Sequence, residues 1–394
     1  MNKTILNIEN QTIIKNNLNS NSSEFLLKGI ATATASSIEL IEQIEAKKRC
    51  EKKLPIWFST HNIYYPNKLN IEQTSSEITA QYKAELVSGE TLIDLTGGFG
   101  VDCFYFSKRI KQVYHCEINE NLSQIVRHNY LQLKVENISC IPENGIKILQ
   151  QENKLYNWIY IDPSRRVNIK GKVFLLKDCL PSVPEHLELL FMHSKNIMIK
   201  TSPLLDITSG ISELKHVKTI HCVAVDNEVK ELLWILEADF KGEIEIKTIN
   251  ISKQTKQVFN FNLKDESTAN ALIGDALAYI YEPNSAILKS GAFKILAKKL
   301  NLFKLHKHSH LYTSSELIEF PGRSLKIVNI IDYNKKKFKR EFTAEKANVT
   351  TRNFPETVQQ IRKKLNLKDG GSNYLFFTTN CNNIKIVIVC KKVI

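Results

Sequence analysis

The chain has 394 residues, of which 43% are hydrophobic, and a formal net charge of +13 at pH 7. This length predicts two or three domains with a substantial core, and 14 Gly and 10 Pro residues are too few for a collagen-like or low-complexity chain. No apolar run approaches the roughly 18 residues of a membrane span, and the N-terminus is too polar for a signal peptide. A cytoplasmic location without membrane contact is therefore expected.

The positive charge is concentrated at the C-terminal end. Residues 1–284 have a net charge of −2, whereas residues 285–394 carry 22 basic and 7 acidic side chains, a net charge of +15. Such an excess is hard to ascribe to solubility alone and favours a polyanionic partner. The eight cysteines are scattered without a C-x-x-C pair, which indicates reduced thiols rather than disulfides or a zinc site.

The first 240 residues divide into a helical part and an alternating part. Residues 1–84 are predicted to be largely helical, with apolar side chains at helical spacing around residues 38–46 and 76–86. From about residue 91, short apolar runs alternate with amphipathic stretches such as residues 119–133, which is typical of a parallel sheet with crossover helices. The candidate strands are residues 91–95, 113–116, 138–141, 158–161 and 197–199.

The next two apolar runs, residues 222–225 and 232–236, flank a turn that is too short for a crossover helix. The pattern therefore predicts an antiparallel hairpin at the end of an otherwise parallel sheet. Residues 241–264 are partly strand-like, and residues 267–281 are predicted to be helical. The remaining chain is predicted to form small α+β modules, with strands at 324–333, 374–379 and 384–389 and a helix at 355–365.

The sharpest local signal is the Gly-rich segment of residues 94–102, at the end of the first strand. Glycines there allow a ligand to approach the backbone, and a helix N-terminus supplies free N–H groups. A dinucleotide-binding loop fits poorly, because the position of its third glycine holds Cys103. Asp94 would also repel a pyrophosphate, and it suits a ligand with a cationic amino-acid moiety instead.

Polar residues follow the next three strands as well. Glu117 is placed to accept both ribose hydroxyls of an adenosine, and Asn144 is placed to meet an adenine edge. Asp162 begins the segment Asp-Pro-Ser-Arg-Arg at the end of the fourth strand, where ligands bind in open α/β sheets. Any one of these signals is typical of an ordinary turn or cap, but four in this order favour a cofactor site.

At this point the sequence resembles the class I S-adenosylmethionine-dependent methyltransferases, and more narrowly the bacterial THUMP-like-domain methyltransferases. The resemblance covers about residues 26–394. It is carried by residues 72–77, 94–102, 161–166, 200–206, 227–228, 281–284, 320–323 and 352–354. It implies an α/β fold with the class I (Rossmann-like) seven-stranded sheet, preceded by a helical region and followed by ferredoxin-like and THUMP-like modules. The cofactor residues that it implies are Asp94, Thr96, Gly97, Gly98, Gly100, Glu117, Asn144 and Asp162, although the class commonly has Asp in place of Asn144.

The predicted catalytic residues are Asp162, Arg165 and Lys200. Enzymes of this class that methylate exocyclic amines usually have Pro and an aromatic residue where this chain has Ser164 and Arg165. An arginine side chain can stack on a base or contact phosphate, or it can simply pair with a carboxylate. Lys200 either orients the substrate or caps the rim of the fifth strand. Covalent methylation of pyrimidine C5 is rejected, because no cysteine follows that strand.

The C-terminal region contains the candidate RNA contacts. Basic residues are interleaved with aromatic ones there, although a lysine run by itself is typical of a solvated hairpin turn. The resemblance implies that the ferredoxin-like and THUMP-like modules bind RNA. The predicted RNA-binding residues are Arg166, Lys335, Lys336, Lys337, Lys339, Arg340, Arg352 and Lys363. His306, His308 and His310 would share one face of a strand, but they lack acidic or thiolate neighbours, so no metal site is predicted.

The sequence thus predicts a methyltransferase that uses S-adenosylmethionine to methylate a base nitrogen of rRNA or tRNA by direct displacement. Two alternatives remain: a methyltransferase of a protein or small molecule, and a non-catalytic RNA-binding protein that keeps the fold. The predicted domain limits are 1–84 for the helical region, 85–255 for the methyltransferase domain, 256–316 for the ferredoxin-like segment and 317–394 for the THUMP-like module.

Overall fold

The computed structural model describes residues 1–20, 32, 34–165 and 175–393. The predicted contact residue Arg166 lies outside the described residues. The chain forms two compact units: the first contains Met1–Lys218 and Lys230–Gly242, and the second contains Thr219–Val229 and Glu243–Ile394. Among the described residues, no helix combines the length and the hydropathy that a membrane crossing requires.

The first unit begins with helices, as predicted for residues 1–84, and five α-helices lie among the residues described there. Their starts follow from capping side chains: Ser36 and Glu39 form a reciprocal capping box, and the Ser76 hydroxyl accepts from the Thr79 amide. The helices are α1 (Ile8–Asn16), α2 (Ser37–Lys53), α3 (Pro55–Ser59), α4 (Lys68–Gln73) and α5 (Glu77–Glu85). A short 3-10 helix, Lys3–Leu6, precedes them.

A mostly parallel sheet forms the centre of the first unit. Its strands are β1 (Gly89–Asp94), β2 (Ile110–Cys116), β3 (Ile138–Ile141), β4 (Trp158–Ile161), β7 (Asn196–Thr201) and β9 (Glu228–Glu237). Two short strands of two residues each, β5 (Ser164–Arg165) and β6 (Cys179–Leu180), pair with one another outside this sheet. The order is β9-β7-β4-β1-β2-β3, with β9 antiparallel to β7 and the other pairs parallel. The connecting helices are α6 (Val101–Phe106), α7 (Glu120–Gln132), α8 (Gly145–Gln151), α9 (Val183–His193) and α10 (Ile207–Glu213).

The predicted antiparallel end of this sheet is confirmed. Strand β8 (Val217–Val225) leads into β9 through Asp226 and Asn227, which have φ values of 49° and 64°. Asp and Asn tolerate this left-handed conformation, which the tight turns of hairpins require. Among the described residues, the first unit therefore holds six strands of the predicted sheet, with β9 as its antiparallel member.

The second unit contains two sets of strands. Strand β8 pairs in parallel with β10 (Glu245–Ile251), which pairs antiparallel with β11 (Lys256–Asn262). A separate sheet has the order β13-β14-β12-β15-β18-β17-β16. Its strands are β12 (Tyr279–Pro283), β13 (Phe303–Lys304), β14 (Tyr312–Ser314), β15 (Gly322–Asp332), β16 (Asn348–Thr351), β17 (Tyr374–Thr379) and β18 (Lys385–Lys392). The helices are α11 (Leu263–Thr268), α12 (Ser285–Ser290), α13 (Lys294–Lys299), α14 (Lys335–Glu341) and α15 (Val358–Leu365).

The helix predicted over residues 267–281 was wrong. Helix α11 ends at Thr268, and Tyr279–Pro283 form the inner strand β12, which is hydrogen-bonded to β14 on one side and β15 on the other. Two strand ladders outweigh a weak helical preference in this aromatic and β-branched segment. The lysine run at 335–337 does not form the solvated hairpin turn that was the alternative interpretation. It is the first turn of helix α14, which the Asn334 side chain caps.

Candidate active site

The first unit contains a cavity of about 1300 Å³ at the carboxyl ends of its parallel strands. Sequence-predicted residues from the ends of five strands line it, which is the position expected for a ligand in an open α/β sheet. They are Asp94, Thr96, Gly97, Gly98, Glu117, Asn144, Asp162, Arg165 and Lys200. The predicted residue Gly100 is not part of the lining.

The three glycines of the loop after β1 serve different purposes. A Cβ at position 97 would overlap the buried His115 ring, and a Cβ at position 100 would overlap the Tyr130 hydroxyl. Packing within the protein therefore requires glycine at both positions. Gly98 lines the cavity, and a Cβ there would meet only the Thr96 carbonyl oxygen, at 3.7 Å, so its φ of 55° rather than packing favours glycine at this position.

His115 supports this loop from below. Its Nε2 lies 3.2 Å from the carbonyl oxygen of Gly98, which can only accept, so the ring carries its proton on Nε2. Burial lowers the pKa of His115 to about 4, despite opposing contacts with backbone carbonyls. The ring is therefore neutral at physiological pH and adds no positive charge beneath the loop.

Asp94 is buried and forms the polar centre of the loop. Its Oδ1 accepts from the Thr96 amide at 2.9 Å, and its Oδ2 accepts from the Cys103 thiol at 3.2 Å. Burial raises the pKa of Asp94 to about 7, against the lowering effect of the Thr96 amide. The carboxyl group thus lies near its titration midpoint at neutral pH, and a cation in the cavity would favour its ionised form.

Thr96 connects the loop to the end of β4. Its Oγ1 accepts from the Asp162 amide at 2.7 Å and donates to Asp94 Oδ1 at 3.2 Å. Glu117 makes a comparable connection from β2, since its two oxygens accept from the amides of Gly98 and Asn119 at 2.9 and 2.7 Å. Three strand ends are therefore joined by hydrogen bonds around the cavity.

Asn144 lines the cavity and also caps a helix. Its side-chain oxygen accepts from the amides of Ile146 and Lys147 and so caps α8. The side-chain NH₂ has no partner among the described residues, and it is the part of Asn144 that can donate to a ligand.

Asp162 and Lys200 form an ion pair in the cavity wall, with Lys200 Nζ 2.6 Å from Asp162 Oδ2. Burial by itself would lower the pKa of Lys200, but the carboxylates of Asp162, Glu231 and Asp102 outweigh it and hold the pKa above its usual value. Arg165 is exposed at the cavity wall, where the short β5–β6 pairing places it opposite Cys179.

A buried charge network that the sequence analysis missed lies beside the cavity. The ammonium group of Lys83, which is fully buried, lies 2.9 Å from both oxygens of Glu231, 3.2 Å from Asp102 and 3.0 Å from the Ser75 hydroxyl. Asp102 also accepts from Ser75 and from the Tyr160 hydroxyl, at 2.9 and 2.8 Å. The available signals were Ser75 and Asp102, which belong to two of the resemblance motifs.

The cysteines near the cavity are poor nucleophiles. Cys116 lines the cavity, and burial raises its pKa well above the usual value. Cys179 is buried and does not line the cavity, and burial followed by the Asp178 carboxylate raises its pKa to about 11. Only the thiolate attacks efficiently, so neither residue supports the covalent C5 mechanism that the sequence analysis rejected.

The predicted RNA contacts in the second unit fall into two groups. Lys335, Lys336, Lys339 and Lys363 are exposed side chains that make no ion pair with the described residues. By contrast, Lys337 pairs with Asp332 at 2.7 Å and Arg340 pairs with Glu341 at 3.2 Å. The first group is therefore the more available to an external anion.

Arg352 belongs to a buried-acid cluster. Its guanidinium lies 2.8 Å from the buried carboxylate of Glu282, which also accepts from Arg323 Nε at 2.8 Å. Three of the resemblance motifs, at residues 281–284, 320–323 and 352–354, meet in this cluster. Arg352 therefore has a structural role as the partner of Glu282, and the predicted RNA contact remains a proposal for the same residue.

The histidines at 306–310 lie in a turn rather than a strand. His306 Nδ1 accepts from the His308 amide, its Nε2 donates to Asn383, and His310 stacks on Phe293 with ring centroids 3.6 Å apart. Within the described ranges, no three or more His, Cys, Asp or Glu side chains converge in a way that could hold a metal ion.

Comparison with known proteins agrees with this architecture. Family models match residues 279–321 as a ferredoxin-like domain and residues 322–392 as THUMP domain-like. Among solved structures, the chain is similar to a candidate methyltransferase from Porphyromonas gingivalis W83, with 29% identity, 98% coverage of each chain and a TM-score of 0.89. The chain therefore combines the class I methyltransferase fold with ferredoxin-like and THUMP-like domains, and the predicted resemblance is confirmed.

Two further solved structures are similar over 41% of this chain. An rRNA methylase from Streptococcus thermophilus has 16% identity, 93% coverage of its own chain and a TM-score of 0.31. M. capricolum TrmK, solved in complex with S-adenosyl-homocysteine, has 15% identity, 68% coverage of its own chain and a TM-score of 0.33. No curated protein matches the chain.

The buried network yields a stability prediction. Replacing Lys83 by Met leaves two buried carboxylates without their cation, so we expect the free energy of unfolding to fall by about 3–5 kcal/mol. Lys218→Met is the matched control, because it removes a lysine from an exposed pair with Glu237 and is expected to cost less than about 1 kcal/mol. Chemical denaturation followed by circular dichroism measures both, and equal losses would contradict the role of Lys83.

Proposed function

We propose that the chain is an S-adenosylmethionine-dependent methyltransferase that acts on a base nitrogen of rRNA or tRNA by direct displacement. The observation that carries this proposal is the convergence of Asp94, Glu117 and Asp162 on one cavity, from the ends of three strands. The similarity to the candidate methyltransferase of P. gingivalis supports the reaction class. The THUMP-like match and the net charge of +15 in residues 285–394 support an RNA substrate.

The cavity fits the proposed cofactor in its charge and in the space that it offers. Glu117 would accept from the ribose hydroxyls, the Asn144 NH₂ would donate to adenine, and Asp94 would face the cationic part. Gly98 lines the cavity without a side chain and so leaves room for the ligand beside the loop. The cofactor supplies a methyl group bound to positively charged sulfur, which is an electrophile for a base nitrogen.

The residues of the chain would act by positioning and by charge. The backbone amide of Asp162 donates to Thr96 Oγ1 and holds the residue in place. The Asp162 carboxylate would accept a hydrogen bond from the target nitrogen and fix its direction. Arg165 would stack on the base or contact a flanking phosphate at the cavity wall. Cytoplasmic RNA is the expected substrate, and the exposed side chains of Lys335, Lys336, Lys339 and Lys363 would hold its backbone.

The raised pKa of Asp94 predicts pH-dependent cofactor binding. Below a pKa of about 7 the carboxyl group is mostly neutral, so affinity for the cationic cofactor should rise with pH between 6 and 7.5 and fall as acid is added. The change can reach about tenfold per pH unit below the pKa. Titration calorimetry measures it, and Asp94→Ala should abolish binding altogether.

Two outcomes separate this account of Asp94 from others. Asp94→Asn removes the titrating group and should leave weak binding that no longer depends on pH across this range. Unchanged cofactor affinity in Asp94→Ala would contradict the assignment of the loop as the cofactor site.

The enzymatic activity is tested with labelled cofactor. Purified protein is incubated with S-adenosylmethionine carrying a labelled methyl group and with total RNA from a strain that lacks the gene, and the modified nucleotide is mapped. We expect label in rRNA or tRNA, and its loss in Asp162→Ala with RNA affinity retained. Label that resists RNase would instead indicate a protein or small-molecule substrate, and binding of RNA without any transfer would indicate a non-catalytic protein.

The RNA surface is tested by salt dependence. Replacing Lys335, Lys336 and Lys339 by Gln should weaken binding and reduce the slope of log K against log salt by up to about three, since each phosphate contact contributes about one. The control replaces the exposed Lys253, Lys264 and Lys298 and removes the same charge elsewhere in the second unit. Equal slopes in the two triple variants would argue against α14 as the RNA contact.

A further inference from the structure

The ion pair of Asp162 and Lys200 offers more than a carboxylate to the substrate. Strands β4 and β7 are parallel neighbours in which Ile161 lies opposite Ile199, so the next residue of each strand falls at the same edge. The two side chains meet there with 2.6 Å between Nζ and Oδ2, and both line the cavity. Their side chains are 31% and 15% exposed, so a ligand in the cavity can reach both.

Each member of the pair keeps unused hydrogen-bonding capacity. Within the part of the chain that the structure describes, Asp162 Oδ1 accepts no bond and Lys200 Nζ has no acceptor other than Asp162. Two ammonium protons and one carboxylate oxygen thus remain for a ligand. The pair presents an acceptor directly beside a donor, and both are charged.

The surroundings keep the donor charged. Asp162, Glu231 and Asp102 favour the ammonium form of Lys200, which is why its pKa is raised although burial opposes this. Among the described residues, other cations also lie nearby: Lys83 shares the carboxylates of Asp102 and Glu231, and Lys230 lines the same cavity. Lys53 is a further charged neighbour, and its pKa is lowered to about 8, chiefly by burial and to a smaller extent by Lys200. Its own ammonium donates to the carbonyl oxygens of Ile71 and Glu72, so it does not compete for Asp162.

Such a pair matches the chemistry of a lactam, an N–H group next to a carbonyl. The lone pair of a lactam nitrogen is delocalised into its carbonyl, and the nitrogen becomes nucleophilic only as its proton leaves and negative charge grows on the oxygen. That reaction needs an acceptor at the N–H and a cation at the oxygen. An exocyclic amine needs only the acceptor, and a ring nitrogen with a free lone pair would be blocked by an ammonium donor.

We propose that the target is the lactam nitrogen of a guanine or uracil base, with Asp162 as the base and Lys200 as a catalytic residue at the adjacent carbonyl. This inference rests on the proposed function. The proton passes to Asp162 Oδ1 while the electron pair of the N–H bond forms the new bond to the methyl carbon. The pair that joined this carbon to sulfur stays on the sulfur, and the ammonium of Lys200 stabilises the negative charge on the carbonyl oxygen until the lactam is restored.

The first test identifies the product. RNA methylated by the purified protein with S-adenosylmethionine is digested to nucleosides and compared by mass spectrometry with synthetic standards. We expect N1-methylguanosine or N3-methyluridine. An exocyclic N-methyl group, a methyl group on a ring nitrogen of adenine or cytosine, or a C-methyl group would overturn this inference and leave the proposed function intact. No transfer to any RNA, with cofactor binding retained, would overturn the proposed function and this inference with it.

The second test separates chemistry from structure at Lys200. Lys200→Gln should lower kcat about 100-fold at pH 7 with cofactor affinity unchanged, whereas Lys200→Arg, which keeps the cation, should retain more activity. Raising the pH from 7 to 9 should increase the kcat of Lys200→Gln more steeply than the kcat of the wild type. The reason is that the target nitrogen of the base then loses its proton in solution without help from a cation. Lys218→Gln serves as the exposed control with near-normal rates. Parallel pH profiles of wild type and the Gln variant would show that Lys200 only supports the structure.

Discussion

The buried ammonium group of Lys83 is the constraint on which the first unit depends. It joins α5, the start of α6 and strand β9, because its partners Asp102 and Glu231 lie on the latter two elements. Burial raises the pKa of Glu231, while Lys83 opposes this rise. Three parts of the chain that are distant in sequence must therefore meet in one arrangement before any of these charges is compensated. Helix α5 and the helices before it belong to the same compact unit as the parallel sheet.

The strand ends of this protein were readable from its sequence because apolar runs and the polar residues after them are local patterns. Strands at 138–141 and 158–161 were predicted with their observed limits. The residues 267–281 were misread because the ladders that hold β12 come from β14 and β15, more than 25 residues further along the chain. Lys83 was missed for a similar reason, since a lysine in an amphipathic helix gives no local sign that it is buried with two acids.

In the second unit, some basic side chains pair with acidic ones and others remain available to a partner. Its net charge suggests a uniformly cationic surface, yet several arginines and lysines are held by acids, above all Arg323 and Arg352 on the buried Glu282. Such pairs fix the geometry of the module, whereas Lys335, Lys336, Lys339 and Lys363 form no ion pair with the described residues and remain available to the proposed RNA partner. The sequence located the charge in the chain, but only the contacts separate these two tasks.

The fit between Gly97 and His115 has a consequence for how this site can change in evolution. A side chain at position 97 and the imidazole at position 115 would occupy the same volume, so position 97 cannot gain a side chain while His115 stays in place. Drift at this part of the cavity must therefore proceed through paired changes, with position 115 becoming smaller before position 97 gains a side chain. Related chains should show these two positions co-varying, even though they lie on different strand ends.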